Sequence, residues 1–147
     1  MKNLSYKRII IIDNSDLSYS GEDIDGKILR GTEASLILLS EQFVKIGIAV
    51  DYCNCIDSNK NVNGVNYFNK NNINKNFVYD LAIAISDANE FNRVSSIKKA
   101  IFSNSNQPIE KFIRKRQLIP FLKFKPTLIT LCDYQFKKKS YFTSFYG

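Results

Sequence analysis

One segment constrains the fold of this chain more than any other: the unit from Arg8 to Cys55. Arg8-Ile9-Ile10-Ile11-Ile12-Asp13 is continuous in β-branched residues, the pattern of a strand buried on both faces, as parallel strands are. A polar loop follows, then Gly26 to Gly47, GKILRGTEASLILLSEQFVKIG, which reads as a glycine loop, a helix and a stop. Leu36, Leu39, Phe43 and Ile46 recur at helical spacing and predict an apolar stripe. Thr32 is a candidate N-cap, and Glu33 suits the positive end of the helix dipole. Gly47 fits the position just past a helix end. A second apolar run, Ile48 to Cys55, predicts the next strand. Strand, helix and strand in succession imply a parallel pair joined by a crossover.

The rest of the chain repeats that order. Residues 79–86 (YDLAIAIS) read as a buried strand, Asp87 to Lys99 as a helix, and Ala100-Ile101-Phe102-Ser103 as a short strand. Asn104 to Gln107 forms its exit loop, and Pro108 to Leu118 reads as a helix opened by proline. Pro126 to Leu131 predicts a last strand, with a short lysine-rich helix after Asp133. Between the second and third strands, residues 59–76 hold nine asparagines in eighteen residues. This segment reads as loop around a short strand at residues 64–68, and its asparagines show no motif spacing and receive no chemical role. The expected fold is α/β: a Rossmann-like, three-layer α/β/α domain with a mostly parallel sheet, spanning residues 1–147.

Composition removes whole classes of chemistry. The chain has no histidine, so it cannot build a Ser-His-Asp triad, a Cys-His pair or a histidine-rich zinc site from its own residues. Its three cysteines, Cys53, Cys55 and Cys132, match neither a zinc site nor a C-x-x-C redox motif and read as reduced, structural thiols. No metal site is expected. Neither G-x-G-x-x-G nor G-x-x-x-x-G-K-[ST] occurs, which disfavours an NAD- or SAM-dependent enzyme. No apolar run approaches the length of a membrane span, and the first residues lack the form of a secretory signal, so a cytoplasmic chain is expected.

Charge is unevenly spread. Residues 1–93 carry 10 Lys/Arg and 12 Asp/Glu, a sum of −2; residues 94–147 carry 11 and 2, a sum of +9. The basic half suggests an anionic partner. Lys111, Arg114, Lys115 and Arg116 flank the apolar face of the helix expected from Pro108, a pattern suited to an anionic membrane surface. A core-packed helix with a solvated basic face fits the same residues. Nucleic acid is the less expected partner, because no basic–aromatic readout motif is present.

The run Gly31-Thr32-Glu33-Ala34-Ser35-Leu36, its apolar helix and Gly47-Ile48-Ala49-Val50-Asp51 resemble the N-terminal half of GT-B glycosyltransferases of the group-1, GT4-like family. Arg30 stands where that family has the first glycine of a pair. The resemblance implies one half of a GT-B architecture: an acceptor-side domain, with the nucleotide-sugar donor held mainly by a C-terminal domain absent from this chain. It implies no cofactor within the chain beyond that donor. By the same resemblance, Gly31, Thr32 and Glu33 would lie near the donor diphosphate, and Ser86, Asp87, Ser105 and Asn106 would line the cleft. Ser105 stands where many relatives carry a histidine, and no catalytic residue is assigned. The implied partners are the donor domain, a sugar acceptor (lipid-linked or polysaccharide) and an anionic membrane at its inner face. The alternative is a non-catalytic Rossmann-like module that binds a membrane or other polyanion through its basic half. For the loop itself, two readings stand: an anion site at the helix start, or a tight turn at Gly31.

Overall fold

The computed structural model describes residues 6–26, 29–103 and 116–130. Its centre is β1 (Arg8–Ile12), four of whose five residues are fully enclosed. β1 pairs in parallel with β2 (Ala49–Asn54) on one side and with β5 (Val78–Ile85) on the other. β4 (Val65–Asn69) extends the sheet beyond β2, while β6 (Ser95–Ser103) and β7 (Thr127–Thr130) extend it beyond β5, all in parallel. The short β3 (Lys60–Val62) closes one edge antiparallel to β4. The result is a seven-stranded, mostly parallel α/β sheet in the order β3-β4-β2-β1-β5-β6-β7. Counting only the six parallel strands along the chain, the order is 3-2-1-4-5-6, that of doubly wound folds. The order reverses between β1 and β5.

Alternation along β1 divides the core. Ile9 and Ile11 point to one face with Tyr52, Val50, Ile83 and Tyr67. That face is covered by α1 (Gly31–Lys45), which buries Leu36 and Ile37. Ile10 and Ile12 point to the opposite face with Cys53, Ala82, Ala84 and Ile101. There the cover is a 3-10 helix, Ala88–Arg93, and the short α2 (Leu118–Phe124). Phe91 and Phe121 enter the core from these two segments, and Phe91 meets Phe124 edge-on at 5.7 Å.

Several expectations are corrected. α1 begins at Gly31 with Arg30 as its N-cap, so Thr32 lies inside the first turn rather than capping it. Its buried stripe runs through Leu36 and Ile37, while Leu39 and Ile46 face outward. The helix does end as Gly47 suggests. Gly47 has φ +86°, its N–H donates to the Val44 carbonyl, and the Ile48 N–H reaches back to Phe43 at 3.0 Å, a Schellman closure.

The helix expected over Asp87 to Lys99 is replaced by a 3-10 helix and a long strand. Asp87 caps the turn by accepting from the Asn89 N–H at 2.9 Å. Ala88, Phe91 and Val94 turn inward at a spacing of three, which a 3-10 helix satisfies as well as an α-helix does. The backbone then extends at Val94, and Ser95 pairs with Val78. The asparagine-rich segment is more ordered than expected: it holds the β3–β4 hairpin and a 3-10 helix at Lys70–Asn72. Asn63 and Gly64 both take positive φ, 51° and 83°, as the two central residues of a type I′ turn require. The strand expected over residues 48–55 is β2, and that over residues 126–131 is β7. The helix expected over residues 108–118 lies almost wholly outside the described residues, as do Cys132 and the lysine-rich segment.

The glycines separate turn geometry from empty space. A Cβ on Gly64 would sit 2.6 Å from Val44 Cγ1, at a backbone angle only glycine adopts freely. A Cβ on Gly31 would meet nothing within 4 Å. Gly64→Ala is therefore expected to destabilise the fold by on the order of 2 kcal/mol. Gly31→Ala is expected to leave it unchanged or stabilise it by about 0.5–1 kcal/mol. Urea midpoints of the two variants at constant slope test both; a large loss at Gly31 would reveal a close approach there.

Candidate functional site

Ligands of doubly wound sheets bind outside the carboxyl ends of the strands, where the strand order reverses. Here that point lies between the ends of β1 and β5, and it is polar on both sides. Asp13 follows β1 and is 4% exposed. One carboxylate oxygen accepts from the Ser15 N–H at 2.8 Å. The other accepts from the Ser15 hydroxyl at 2.8 Å and the Tyr19 hydroxyl at 2.5 Å. Tyr19 and Tyr52 hydroxyls lie 2.7 Å apart, so a buried chain of polar groups runs from the loop after β1 into the core. The amide of Asn54 at the end of β2 ties the same loop down by donating to the Tyr19 carbonyl at 2.7 Å.

Across the reversal, Ser86 holds a left-handed backbone, φ 55°, with its N–H donating to the Phe102 carbonyl at 2.9 Å. The kink turns Asp87 toward β1, where the exposed amide of Asn14 donates to Asp87 Oδ2 at 3.3 Å. Lys70, just past the carboxyl end of β4 two strands away, donates to the carbonyls of Asn14 and Ser15 at 3.2 and 3.3 Å. Beneath them Glu90 is buried and pairs with Arg93 at 3.0 Å. Burial raises its pKa above the usual carboxylate range, with Asp87 and Asp13 adding to the rise while Arg93 and Lys70 oppose it.

The sequence-derived site residues fall into three groups. Ser86 and Asp87 follow the carboxyl end of β5, at the reversal point. Gly31, Thr32 and Glu33 form the first turn of α1, and Glu33 is buried. Glu33 Oε1 pairs with exposed Arg30 at 2.5 Å, and Oε2 has no hydrogen-bond partner among the described residues. The Arg30 charge is thus answered by Glu33. Ser105, Asn106, Lys111, Arg114 and Lys115 lie outside the described residues. Arg116 is described and exposed.

A second polar assembly was not anticipated. It lies at the opposite end of β1, on the face away from α1. Arg8 donates Nε and Nη2 hydrogens to the two oxygens of Asp51, each at 3.0 Å. Asn66 adds a bond to Asp51 Oδ1 at 3.1 Å, and the Tyr79 hydroxyl one to Oδ2 at 2.8 Å. Around this knot lies an open cleft of about 490 Å³, within the ~300–1,000 Å³ range of small-molecule sites. Asn59, Asn61, Asn66, Asn72 and Asn74 line it, all from the segment given no chemical role. The signal that could have found them is Asn63-Gly64, a hairpin dipeptide that folds the flanking asparagines onto one sheet edge. Among the described residues no group of three or more His, Cys, Asp or Glu is placed to hold a metal ion, and no helix is long and apolar enough to cross a membrane.

The sequence matches no model of a known protein family, and no curated protein matches it significantly.

Four tyrosines carry the pH behaviour of these assemblies. Burial raises the pKa of Tyr19 and Tyr52, helped at both by nearby Asp13. Burial also raises Tyr67 and Tyr79, the latter further through its bond to Asp51. The folded state therefore holds protons that the unfolded chain releases near pH ~10. Stability is intact below that value and falls as pH climbs from there toward the folded-state values. Tyrosinate absorbance is expected to rise in two phases, the second coinciding with loss of the far-UV circular dichroism. A single phase near pH ~10 with secondary structure intact would contradict the burial of these hydroxyls.

Proposed function

We propose that this chain is the acceptor-side, Rossmann-like domain of a GT-B glycosyltransferase, built as three α/β/α layers. In this reading a separate domain holds the nucleotide-sugar across the carboxyl edge of the sheet. The observation that carries the proposal is the joining of Asn14 to Asp87 across the strand-order reversal. This is where a doubly wound sheet receives its ligand. The loop–helix pattern from Gly31 to Leu36 supports the family reading. The exposed Asn14 amide, the Ser86 hydroxyl and the Asp87 carboxylate offer donors and acceptors to the hydroxyls of an acceptor sugar. With no histidine in the chain, a base acting at neutral pH would have to be a carboxylate or come from the partner domain. The long loop after β1 is held by Asp13 and Asn54, which keeps the acceptor side preorganised.

Acceptor binding is tested by recording ¹⁵N–¹H spectra of the chain while adding free oligosaccharides and micelle-embedded, diphosphate-linked saccharides. Signals of Asn14, Ser86 and Asp87 are expected to shift, and Asn14→Ala with Asp87→Ala to weaken binding about tenfold, as for one or two net hydrogen bonds. If no saccharide of either kind moves those signals, the acceptor-side reading fails.

A peripheral position at the inner membrane face belongs to the same proposal. α2 leaves Leu118, Ile119 and Leu122 exposed, Ile119 to 77%, and Arg116, Lys123 and Lys125 flank them. Apolar side chains ringed by cations suit an anionic lipid surface, at about 1 kcal/mol per basic residue. The chain is expected to float with vesicles containing phosphatidylglycerol, to release in high salt, and to lose binding in an Ile119→Ser, Leu122→Ser variant. Equal recovery with zwitterionic vesicles, or no effect of the variant, would remove the membrane from the proposal.

A further inference from the structure

We infer that the asparagine-lined cleft on the β3–β4 side of the sheet is a second binding site, selective for neutral polyhydroxylated ligands, that is, short uncharged glycans. It runs from Arg8, at the start of β1, to Phe68, which pairs with Cys53 and so stands level with Ile12. Asn14, Ser86 and Asp87 of the acceptor site proposed above are not among its lining residues. The inference does not depend on any transfer reaction.

The chemistry of the lining carries it. The formal charges in the cleft are all answered within the protein. Arg8 is matched by Asp51, and Lys60 by Glu22 at 2.9 Å. A charged ligand would find no unopposed partner, and would have to compete with pairs already made. Asp51 is also saturated. Its two oxygens accept from Arg8 Nε, Arg8 Nη2, Asn66 and Tyr79, which uses the sites a carboxylate offers. Asp51 is therefore a scaffold that aims Arg8, whose guanidinium also lies 4.8 Å over the Phe77 ring. With Nε and one Nη2 hydrogen engaged by Asp51, the remaining Nη hydrogens of this half-exposed side chain are donors toward the cleft.

The asparagines complete the pattern. Each amide presents two donors and an acceptor, so a row of them matches hydroxyl groups, which both donate and accept. Asn61 donates to Asn66 Oδ1 at 2.7 Å, and that bond orients both amides. Asn59 and Asn72 enter from the two ends of the segment and are exposed. Phe68, half-buried, supplies an apolar patch of the kind a sugar ring face can cover. The β3–β4 turn and the 3-10 helix at Lys70–Asn72 fix where these side chains stand, so little ordering is left to be done on binding.

The test uses the whole chain and a panel of neutral trisaccharides: chitotriose, maltotriose, cellotriose and mannotriose. The side-chain amide signals of asparagine report directly in ¹⁵N–¹H spectra. At least one trisaccharide is expected to shift those of Asn61, Asn66 and Asn72 while the signals of Asn14 and Asp87 stay in place. Its affinity is expected to be the same in low and high salt, as a neutral ligand requires. Asn61→Ala with Asn72→Ala removes two exposed amides without touching the Arg8–Asp51 pair. This variant is expected to keep its unfolding midpoint and bind about tenfold more weakly. Arg8→Lys, which keeps the charge but not the fork, serves as a second, independent loss of affinity. Three results would overturn the inference: no trisaccharide moves the cleft signals, binding that fades with salt, or a double variant that binds as well as the parent. Shifts confined to Asn14, Ser86 and Asp87 would overturn it while supporting the acceptor site instead.

Discussion

Everything in this molecule depends on β1 being apolar on both faces. A strand held between β2 and β5 and covered above and below can carry no polar side chain along its middle without a buried partner. Ile9 to Ile12 meet that condition. The consequence is that polar chemistry is pushed to the two ends of the strand, where Arg8 and Asp13 stand. Parallel pairing on both sides also forces long crossovers. The segments between strands, rather than the strands, then decide what each end can do. At the carboxyl end the crossover is the loop and α1. On the other face the passage from β4 to β5 runs from the carboxyl end, where Lys70 meets Asn14 and Ser15, to the amino end, where Val78 begins β5.

Much of this was legible in the sequence because it rests on local rules. β1, β2, β5 and β7 announce themselves by apolar runs, and α1 by its spacing and by Gly47. Crossover rules imply a parallel sheet, and Ser86 and Asp87 were legible as the carboxyl end of a buried strand; the strand order and its reversal were not, because handedness alone does not fix which strands become neighbours. What escaped was set by tertiary pairing. Ala88, Phe91 and Val94 carry a spacing of three that one turn of 3-10 helix shares with an α-helix, and only the ladder to β5 draws Ser95 onward into a strand. The N-cap was misplaced because Glu33 is claimed by Arg30, a pairing that no capping rule contains. The cleft escaped because asparagine has no periodicity to read. Its grouping exists only after Asn63 and Gly64 fold the chain back.

The buried charges follow one pattern. Asp51, Glu33 and Glu90 each lie almost fully enclosed, and each meets a partly or largely exposed arginine: Arg8, Arg30 and Arg93. An exposed guanidinium keeps some hydration while it pairs with the carboxylate, which lowers the desolvation cost that a fully buried pair incurs; only at Asp51 does the fork engage both oxygens. Asp13 is the exception. It has no arginine; its oxygens are met by a backbone N–H and two hydroxyls. Neutral donors hold a carboxylate in place without cancelling its charge, so the negative field of Asp13 persists at the reversal point. Burial is the main reason the Glu90 pKa is raised, and Asp13 adds a smaller share; Lys70 meets the same loop through the Ser15 carbonyl and Asp16.

That difference separates scaffold from site. A carboxylate whose lone pairs are all taken, such as Asp51, can orient a neighbour but has nothing left for a ligand. Its value lies in the donors it leaves free on Arg8 and in the amides it aligns. At the other end, Asp13 and Asp87 are each held by short-range bonds that fix a loop, while exposed Asn14 bridges outward to Asp87 through one long bond at 3.3 Å. Such a bond is weak and readily exchanged for one to a ligand hydroxyl. The two ends of β1 therefore use one device in two forms. A buried carboxylate, Asp51 or Asp13, fixes the geometry at each end, and close by stands a side chain only partly engaged, the Arg8 guanidinium at one end and the Asn14 amide at the other.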